Sequence, residues 1–277
     1  MINGHTQLFG IIGDPVEHSL SPAMHNAALA HLGLNGVYVP MRPTDLTTAF
    51  HGLRSLGFIG VSVTVPFKVA IMDLLDAVDP VASKIGAVNT LVFERTGAST
   101  RCTGHNTDWL GSNRALAEVI DPAGRTILLI GAGGAARAVG FGLLEAGASV
   151  LLTNRTEAKG RKLADQMGCP FVPATELPQV RADALINTTS AGMTPRIDDM
   201  PIAPELLPHF PVIMDIVYAP LETRLLREAI ACGCRAIDGL TMLQYQGAAQ
   251  FTLWTGNEAP HPVMRQALLA ALNGLHS

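Results

Sequence analysis

Apolar runs and helix-like segments alternate along this chain from its first residues to about residue 239. Each run is short and is bounded by glycine or polar residues, so the runs predict buried strands. The predicted strands cover residues 8–13, 37–41, 60–66, 87–93, 126–130, 149–153, 184–187 and 212–216. Helices are predicted between them, and from Gly239 to the end the pattern is helical. This alternation is typical of an α/β fold with parallel sheets and right-handed crossovers.

The predicted strand over residues 60–66 separates an apolar face from a polar one. Its valines share one side, whereas Ser62 and Thr64 share the other. A helix is predicted over residues 67–75, with Lys68 in its first turn. The positive end of a helix dipole disfavours an ammonium group and favours loss of its proton, which suits a proton-transfer residue. The alternative is an ordinary exposed lysine.

The most informative motif is the glycine loop, Gly131-Ala132-Gly133-Gly134-Ala135, which lies between a predicted strand and a predicted helix. Gly131 permits a tight turn, and Gly133 lets the backbone approach a phosphate. The helix N-terminus presents N–H groups and a positive dipole to an anion. Because both the strand and the helix are present, we interpret this loop as dinucleotide-binding rather than as a structural turn.

Residues after the next predicted strand indicate which dinucleotide is bound. NAD-binding proteins of this fold carry an acidic residue there, which holds the ribose 2′-hydroxyl. This chain has Asn154-Arg155-Thr156 instead, followed by Lys159. Arginine, hydroxyl and lysine groups suit a 2′-phosphate. The sequence therefore predicts NADP, and the alternative is a solvated loop with ordinary surface cations.

Polar clusters in the first hundred residues indicate the kind of substrate. Ser21 is predicted as a helix N-cap, with Pro22 at the first helical position. Ser19 has no such structural role, and a hydroxyl near a helix N-terminus is well placed for a carboxylate. Asn89 interrupts a run that a plain strand would fill with β-branched residues, and Asp108 follows another polar stretch. Together these groups favour a hydroxyl-rich substrate that carries a carboxylate.

Composition narrows the class of protein. The 277 residues are 48% hydrophobic and 15% charged, with a net charge of −4, which predicts a globular enzyme and gives no electrostatic reason to expect nucleic acid or an anionic membrane. No apolar run reaches the length of a membrane span. The four cysteines have no zinc-binding spacing, so we expect no metal and a reducing, cytoplasmic location.

Nine ordered segments of the chain resemble the shikimate dehydrogenase family, and the resemblance runs nearly end to end. The segments are His18–Pro22, Val63–Lys68, Ala87–Thr90, Asn106–Asp108, Gly131–Ala135, Asn154–Thr156, Asn187–Met193, Asp215–Tyr218 and Gly239–Gln246. The resemblance implies reversible, NADPH-dependent reduction of 3-dehydroshikimate to shikimate, a step of aromatic amino-acid biosynthesis.

The resemblance also implies a domain organisation. A parallel α/β substrate-binding catalytic domain is expected over residues 1–107, and a Rossmann-type NADP-binding domain over 108–238. C-terminal helices over 239–277 are expected to return to the substrate domain. The substrate and cofactor would then meet in a cleft between the domains.

Site residues follow from the resemblance position by position. Lys68 and Asp108 are implied as the catalytic pair. The residues implied for the substrate carboxylate and hydroxyls, beside Asp108, are Ser19, Ser21, Ser62, Thr64, Asn89, Tyr218 and Gln246. Those implied for NADP are Gly131, Ala132, Gly133, Gly134, Ala135, Asn154, Arg155, Thr156 and Lys159, with Met193 and Gly239 at the nicotinamide end.

Three positions depart from the usual family pattern. Ser62 stands where the family usually has asparagine, so an amide donor is missing on the polar face of the strand. Lys159 replaces a common arginine, which weakens bidentate phosphate binding but keeps the charge. Tyr245 replaces a common glutamine beside Gln246.

Two alternatives to the shikimate enzyme remain. Because of Ser62, the chain is also compatible with a sister dehydrogenase that acts on quinate or an amino-shikimate. A non-catalytic NADP-binding regulator is an alternative of another class, against which the presence of both Lys68 and Asp108 argues. The expected partner is a small-molecule substrate, and the protein is expected to be a monomer or a homodimer.

Overall fold

The computed structural model describes residues 2–97 and 99–274 and divides into two compact units. The first unit combines Met1–Thr107 with Gln246–Ser277, and the second is Asp108–Tyr245. No helix in these two described ranges is long and apolar enough to cross a lipid bilayer. The roles and boundaries that the sequence predicts for the domains stay predictions.

Strands and helices alternate through the N-terminal stretch of the first unit. The strands are β1 (Gln7–Ile12), β2 (Gly36–Met41), β3 (Phe58–Val63), β4 (Ala77–Val78), β5 (Thr90–Thr96) and β6 (Ser99–His105). The helices are α1 (Ser21–His31), α2 (Leu46–Ser55) and α3 (Pro80–Ile85), with a 3₁₀ helix at Ala70–Leu74. The strands form one sheet in the order β2-β1-β3-β5-β6-β4.

Both parallel and antiparallel pairs occur in this sheet. Strands β2, β1 and β3 are parallel neighbours, whereas β5 is antiparallel to both β3 and β6. The predicted α/β class is confirmed. The β5–β6 hairpin was not predicted, because β6 carries mostly hydroxyl and charged side chains and lacks the apolar run by which the other strands were found.

One face of the sheet and the helix α2 enclose an apolar core. Val61 and Val63 of β3 are buried, as the alternation along this strand predicts, and they share a cluster with Phe50 and Leu53 of α2. Helix α2 begins after Asp45, whose carboxylate accepts a hydrogen bond of 2.7 Å from the N–H of Thr48. Such an N-cap satisfies one of the free backbone donors of the first turn.

The predicted cap of α1 was wrong. The N-cap is Leu20, whose side chain forms no capping hydrogen bond. Ser21 is the first helical residue and Pro22 the second, which remains favourable because the first-turn N–H groups have no intrahelical partner. The hydroxyl of Ser21 is therefore not explained by helix capping.

The predicted helix over residues 67–75 was also wrong in extent and type. The chain from Val65 to Val69 forms turns, and only a short 3₁₀ helix follows over Ala70–Leu74. Lys68 lies in the turn before that helix and not in the first turn of an α-helix. Lys68 is therefore not at the positive end of an α-helix dipole, contrary to the prediction.

A fully parallel sheet forms the centre of the second unit. Its strands are β7 (Thr126–Ile130), β8 (Ser149–Thr153), β9 (Ala184–Asn187), β10 (Val212–Asp215) and β11 (Arg235–Ile237), in the order β11-β10-β9-β7-β8. The helices are α4 (Asp108–Ala117), α5 (Gly134–Glu145), α6 (Glu157–Met167) and α7 (Arg224–Ala231), with 3₁₀ helices at Ala174–Gln179 and Pro204–His209. The chain then continues into α8 (Gly239–Thr255) and α9 (His261–Gly274).

The strand order of the second unit reverses beside β7. The chain runs from β7 outward to β8, then returns to the other side of β7 to form β9. In open parallel sheets, ligands bind outside the carboxyl ends of the strands at such a switch point. The topology thus predicts a ligand-binding site at the loops after Ile130 and Asn187.

The end of α8 packs tightly on the sheet of the first unit. A side chain at Gly60 of β3 would collide with the indole ring of Trp254, and one at Gly247 would collide with Met24. The indole N–H of Trp254 donates a hydrogen bond of 2.9 Å to the carbonyl of Leu91 in β5. Glycine at position 60 is therefore what allows α8 to approach β3.

We predict that Gly60→Ala destabilises the protein by about 1–3 kcal/mol, because the added methyl group overpacks a filled contact. Gly52→Ala is the matched control. Gly52 lies inside α2 with open space around its missing side chain, so alanine there is expected to stabilise by about 0.5–1 kcal/mol. Urea unfolding of both variants measures the difference, and equal effects would contradict the proposed role of Gly60.

Candidate active site

Asn89, directly before β5, is the centre of a buried polar cluster in the first unit. Its side chain is 2% exposed. Its oxygen accepts hydrogen bonds from the N–H of Thr107 at 2.8 Å and the hydroxyl of Thr90 at 2.7 Å. Its amide nitrogen lies 3.0 Å from the Thr107 hydroxyl and 3.3 Å from the side-chain oxygen of Gln246. The cluster thus joins two loops to helix α8.

Sheet topology explains why these residues meet. Strand β5 is antiparallel to β3 and β6, so the amino end of β5 lies beside the carboxyl ends of both neighbours. Backbone hydrogen bonds join the three ends: Val63 N–H donates to Asn89 at 2.8 Å, and Asn89 N–H donates to His105 at 3.0 Å. Residues that follow β3 and β6 are therefore held close to Asn89.

Thr64 and Lys68 occupy the segment after β3. Thr64 is half-buried, and its N–H donates to the carbonyl of Ile12 at 2.9 Å. Lys68 is also half-buried, and its carbonyl accepts a hydrogen bond of 2.8 Å from the N–H of Val88, one residue before Asn89. The backbone of Lys68 is thereby tied to the strand connection that carries Asn89.

Asp108 follows Thr107 in the chain and is the first residue of α4. It is 4% exposed. The preceding residues are fixed, since Asn106 donates to the carbonyl of Ala87 at 2.9 Å and Thr107 is bonded to Asn89. A carboxylate at a helix N-terminus is favoured by the helix dipole.

Ser19 and Ser21 lie on either side of the start of α1. The Ser19 hydroxyl accepts a hydrogen bond of 3.3 Å from the N–H of Ser21, and Ser21 is 3% exposed. Ser19 itself is partly exposed. These hydroxyls and the other N–H groups of the first turn are hydrogen-bonding groups suited to a carboxylate.

Ser62 lies on the polar face of β3 but is buried, with 4% exposure. Its hydroxyl accepts a hydrogen bond of 2.7 Å from Tyr38 and donates one of 2.9 Å to the side-chain oxygen of Gln250. Neither Tyr38 nor Gln250 was singled out from the sequence. The spacing of Gln246 and Gln250 was an available signal, because residues four apart share one helix face.

The glycine loop of the second unit has the geometry that a pyrophosphate requires. Gly131 has a φ of 127°, which favours glycine, and a side chain there would collide with the hydroxyl of Thr188. Open space surrounds the position where a side chain at Gly133 would stand, and α5 begins at Gly134 without a side-chain cap. The first N–H groups of α5 therefore suit a phosphate, so the residues present fit a dinucleotide.

Residues predicted to bind the 2′-phosphate lie at the carboxyl end of β8. Asn154 donates a hydrogen bond of 2.8 Å to the carbonyl of Thr156 and so shapes the turn. Arg155, Thr156 and Lys159 are exposed, as phosphate ligands on a rim need to be. Close packing fixes the following helix, because a side chain at Gly160 would collide with the ring of Phe171.

Asp215, the last residue of β10, joins the loops at the switch point. It begins one of the segments that resemble the family, but the sequence predicted no role for it. It is fully buried and accepts hydrogen bonds from Asn187 at 2.9 Å, the N–H of Val217 at 3.0 Å and the hydroxyl of Thr223 at 2.7 Å. Burial raises the pKa of Asp215 from 3.8 to about 6, although the three donors favour its charged form.

Three predicted residues of the second unit follow these strand ends. Met193 is 42% exposed in the loop after β9, and Tyr218 is half-buried in the loop after β10. The two loops are joined by a backbone hydrogen bond of 3.0 Å from Thr194 to Ala219. Gly239 starts α8, where a side chain would collide with the carbonyls of Ile216 and Val217. Only glycine fits at that position.

Tyr245, one of the departures from the family pattern, has a defined structural role. Its hydroxyl donates a hydrogen bond of 2.6 Å to the carboxylate of Glu118. The guanidinium of Arg114 lies over its ring at 5.9 Å from the centroid, within range of a cation–π contact. Both contacts link Tyr245 to α4 and the segment after it.

Fold and loops together define an α/β protein with a Rossmann-type dinucleotide-binding unit. Three family models match the chain: the shikimate dehydrogenase substrate-binding domain over residues 11–91, shikimate/quinate 5-dehydrogenase over 114–216, and the shikimate 5′-dehydrogenase C-terminal domain over 239–269. A shikimate dehydrogenase (NADP(+)) from Moorella thermoacetica is 48% identical, over 98% of this chain and 95% of its own. The chain belongs to the shikimate dehydrogenase family, which confirms the resemblance found in its motifs.

Solved structures agree with this assignment. Shikimate 5-dehydrogenase from Thermus thermophilus, in complex with NADP(H) and shikimate, is 41% identical and superposes with a TM-score of 0.87, covering 96% of this chain and all of that one. A quinate dehydrogenase from Corynebacterium glutamicum, in complex with NAD, is 32% identical with a TM-score of 0.87, covering 96% and 99% of the two chains.

The pKa of Asp215 predicts how stability depends on pH. A carboxyl whose pKa is raised in the folded state stabilises the fold below its ordinary pKa, and that contribution is lost as pH rises from about 4 to about 6. Relative to Asp215→Asn, the wild type should lose on the order of 3 kcal/mol across this window. Urea unfolding of both proteins at several pH values measures it. A difference independent of pH would contradict the raised pKa.

Proposed function

We propose that this protein catalyses the reversible, NADPH-dependent reduction of 3-dehydroshikimate to shikimate, a step of aromatic amino-acid biosynthesis. The observation that carries the proposal is the buried cluster of Asn89, Thr107 and Gln246, to which the backbones of Lys68 and Asp108 are connected. The family membership and the NADP-dependent relatives support it. The cytoplasmic location and the monomeric or homodimeric state that the sequence predicts stay predictions.

NADP is the cofactor of the proposed reaction, and when bound it supplies or accepts the hydride. The glycine loop, residues 131–135, would hold the pyrophosphate at the start of α5. Asn154, Arg155, Thr156 and Lys159 would hold the 2′-phosphate. Met193 and Gly239 would lie at the nicotinamide end, after the strands that Asp215 joins.

Lys68 and Asp108 would act on the substrate oxygen. As an ammonium group, Lys68 would donate a proton to the ketone oxygen that becomes a hydroxyl. Asp108 would hold that hydroxyl in position. In the oxidation direction the neutral amine of Lys68 would accept the same proton.

Other side chains would bind and orient the ring. Ser19 and Ser21 suit the carboxylate, because their hydroxyls lie at the start of α1. Residues proposed to hold the ring hydroxyls are Thr64, Asn89, Tyr218 and Gln246. A site that binds hydroxyls through buried polar groups discriminates strongly against analogues that lack them.

Quinate oxidation is the second candidate, and two observations favour it. Ser62 occupies a position where the family usually has asparagine, and a quinate dehydrogenase is among the structural neighbours. The turnover of shikimate and of quinate, compared as kcat/KM, decides between the two substrates.

Lys68→Ala should reduce kcat for shikimate oxidation with NADP by roughly 10²-fold or more, because the proton acceptor is lost. Initial rates of NADP reduction measure this for the wild type and the variant. Binding of NADP, measured by fluorescence, should change little, since the residues proposed for the cofactor lie elsewhere in the chain.

Three outcomes would contradict the proposal. Quinate turnover by the wild type at equal or higher efficiency would favour the sister enzyme. No turnover of either substrate, with NADP still bound, would favour the non-catalytic regulator. Full activity of Lys68→Ala would exclude Lys68 as the proton-transfer residue.

Arg155→Ala should weaken the binding of NADPH more than the binding of NADH. Loss of one charge-assisted contact to the 2′-phosphate is expected to raise KM for NADPH about 10-fold or more and to leave KM for NADH nearly unchanged. Arg161→Ala is the matched control, because Arg161 is already paired with Glu157 at 2.7 Å and lies over the ring of Phe171. Equal effects of the two variants on KM for NADPH would contradict the assignment.

A further inference from the structure

We propose that Gln250 and Tyr38 are positioning residues for Asn89, and that Ser62 acts as the link between them and not as a substrate ligand. The proposal rests on the proposed function, because it concerns the residue assigned to the ring hydroxyls. Gln250 supplies from α8 the amide that Ser62 lacks on β3.

The hydroxyl of Ser62 is engaged on two sides. It accepts from the Tyr38 hydroxyl at 2.7 Å and donates its single proton to Gln250 at 2.9 Å. A serine hydroxyl has one proton to donate. With that proton given to Gln250 and its side chain buried, Ser62 has no donor left for a substrate.

The amide of Gln250 connects Ser62 to the segment that carries Asn89. Its nitrogen donates to the carbonyl of Asn89 at 3.1 Å and to the hydroxyl of Thr90 at 3.0 Å. Gln250 is 1% exposed. Gln250 thus connects Ser62 of β3 with Asn89 and Thr90 at the beginning of β5, where Ser62 and Thr90 are directly paired.

The hydroxyl of Thr90 completes a directional chain. It accepts from Gln250 and donates to the side-chain oxygen of Asn89 at 2.7 Å. The N–H of Thr107 donates to the same oxygen at 2.8 Å. With two donors on its oxygen, the amide of Asn89 keeps its nitrogen on the side of Gln246. The chain of bonds therefore selects one of the two orientations of the Asn89 amide.

The ring of Tyr38 is held so that its hydroxyl meets Ser62. His25 stacks on it, with the ring centroids 4.4 Å apart and the planes at 15°. The ring centroid of Trp254 lies 6.0 Å from that of Tyr38, and the indole of Trp254 is held by its hydrogen bond to the carbonyl of Leu91. Tyr38 is 1% exposed, so its ring has little freedom to turn away.

Gln250→Ala in the full-length enzyme is the direct test, with Thr252→Ala on the exposed side of the same helix as the control. Loss of the chain should lower kcat/KM for shikimate about 10- to 100-fold, mainly through KM, because buried donors and acceptors around Asn89 lose their partners. KM for NADP should change less than about twofold. Thr252→Ala should behave as the wild type for both substrates.

Two further variants separate positioning from general damage to the fold. Ser62→Asn combined with Gln250→Ala brings an amide from β3 into the space that Gln250 leaves. The double variant should therefore return KM for shikimate most of the way to the wild-type value. Tyr38→Phe keeps the stacked ring and removes only the hydroxyl, so it should raise KM for shikimate in the same direction by a smaller factor.

An unchanged KM for shikimate in Gln250→Ala would overturn the proposal while the shikimate activity of the wild type stands. Equal losses for shikimate and NADP, without recovery in the double variant, would also overturn it. Wild-type protein inactive on shikimate and quinate would instead refute the proposed function. A crystal structure of Gln250→Ala then decides the positioning role: a reoriented Asn89 supports it, and an unmoved one overturns it.

Discussion

Polar side chains buried at the carboxyl end of β3 have to satisfy one another, and this constraint organises the first unit. A buried amide or hydroxyl without a partner costs about 1–3 kcal/mol. Asn89, Thr107, Gln246 and Gln250 meet the requirement through bonds that connect β5 and the loop after β6 to α8. These bonds hold α8 against the sheet and also orient the proposed substrate ligands.

In the second unit, close backbone packing and a buried polar side chain hold the loops at the strand ends. Its sheet is entirely parallel, and in such sheets a dinucleotide binds at the loops that follow the carboxyl ends of the strands. Gly131 and Gly239 permit close backbone approaches there, and Asp215 connects the ends of β9 and β10 to the start of α7. Asp215 remains buried despite the cost of its charge, because three donors surround it.

The departures from the family pattern become intelligible only in three dimensions. Tyr245 does not replace a glutamine function, since it binds Glu118 and Arg114. Ser62 has lost an amide, but an amide is present in the same space because Gln250 reaches it from a helix 188 residues further along the chain. Lys159 remains an exposed cation at the rim, as its proposed role requires.

The sequence by itself determined the α/β class, most strands, the glycine loop and the family, because these depend on local periodicity and on motifs of a few adjacent residues. It did not determine the turn that carries Lys68, the hairpin strand β6 or the cap of α1, where local signals were absent or misleading. Only the tertiary structure decided the contacts of Asn89, Ser62, Gln250 and Asp215. Their partners are distant in sequence, and hydrogen bonds between distant residues leave no periodic pattern along the chain.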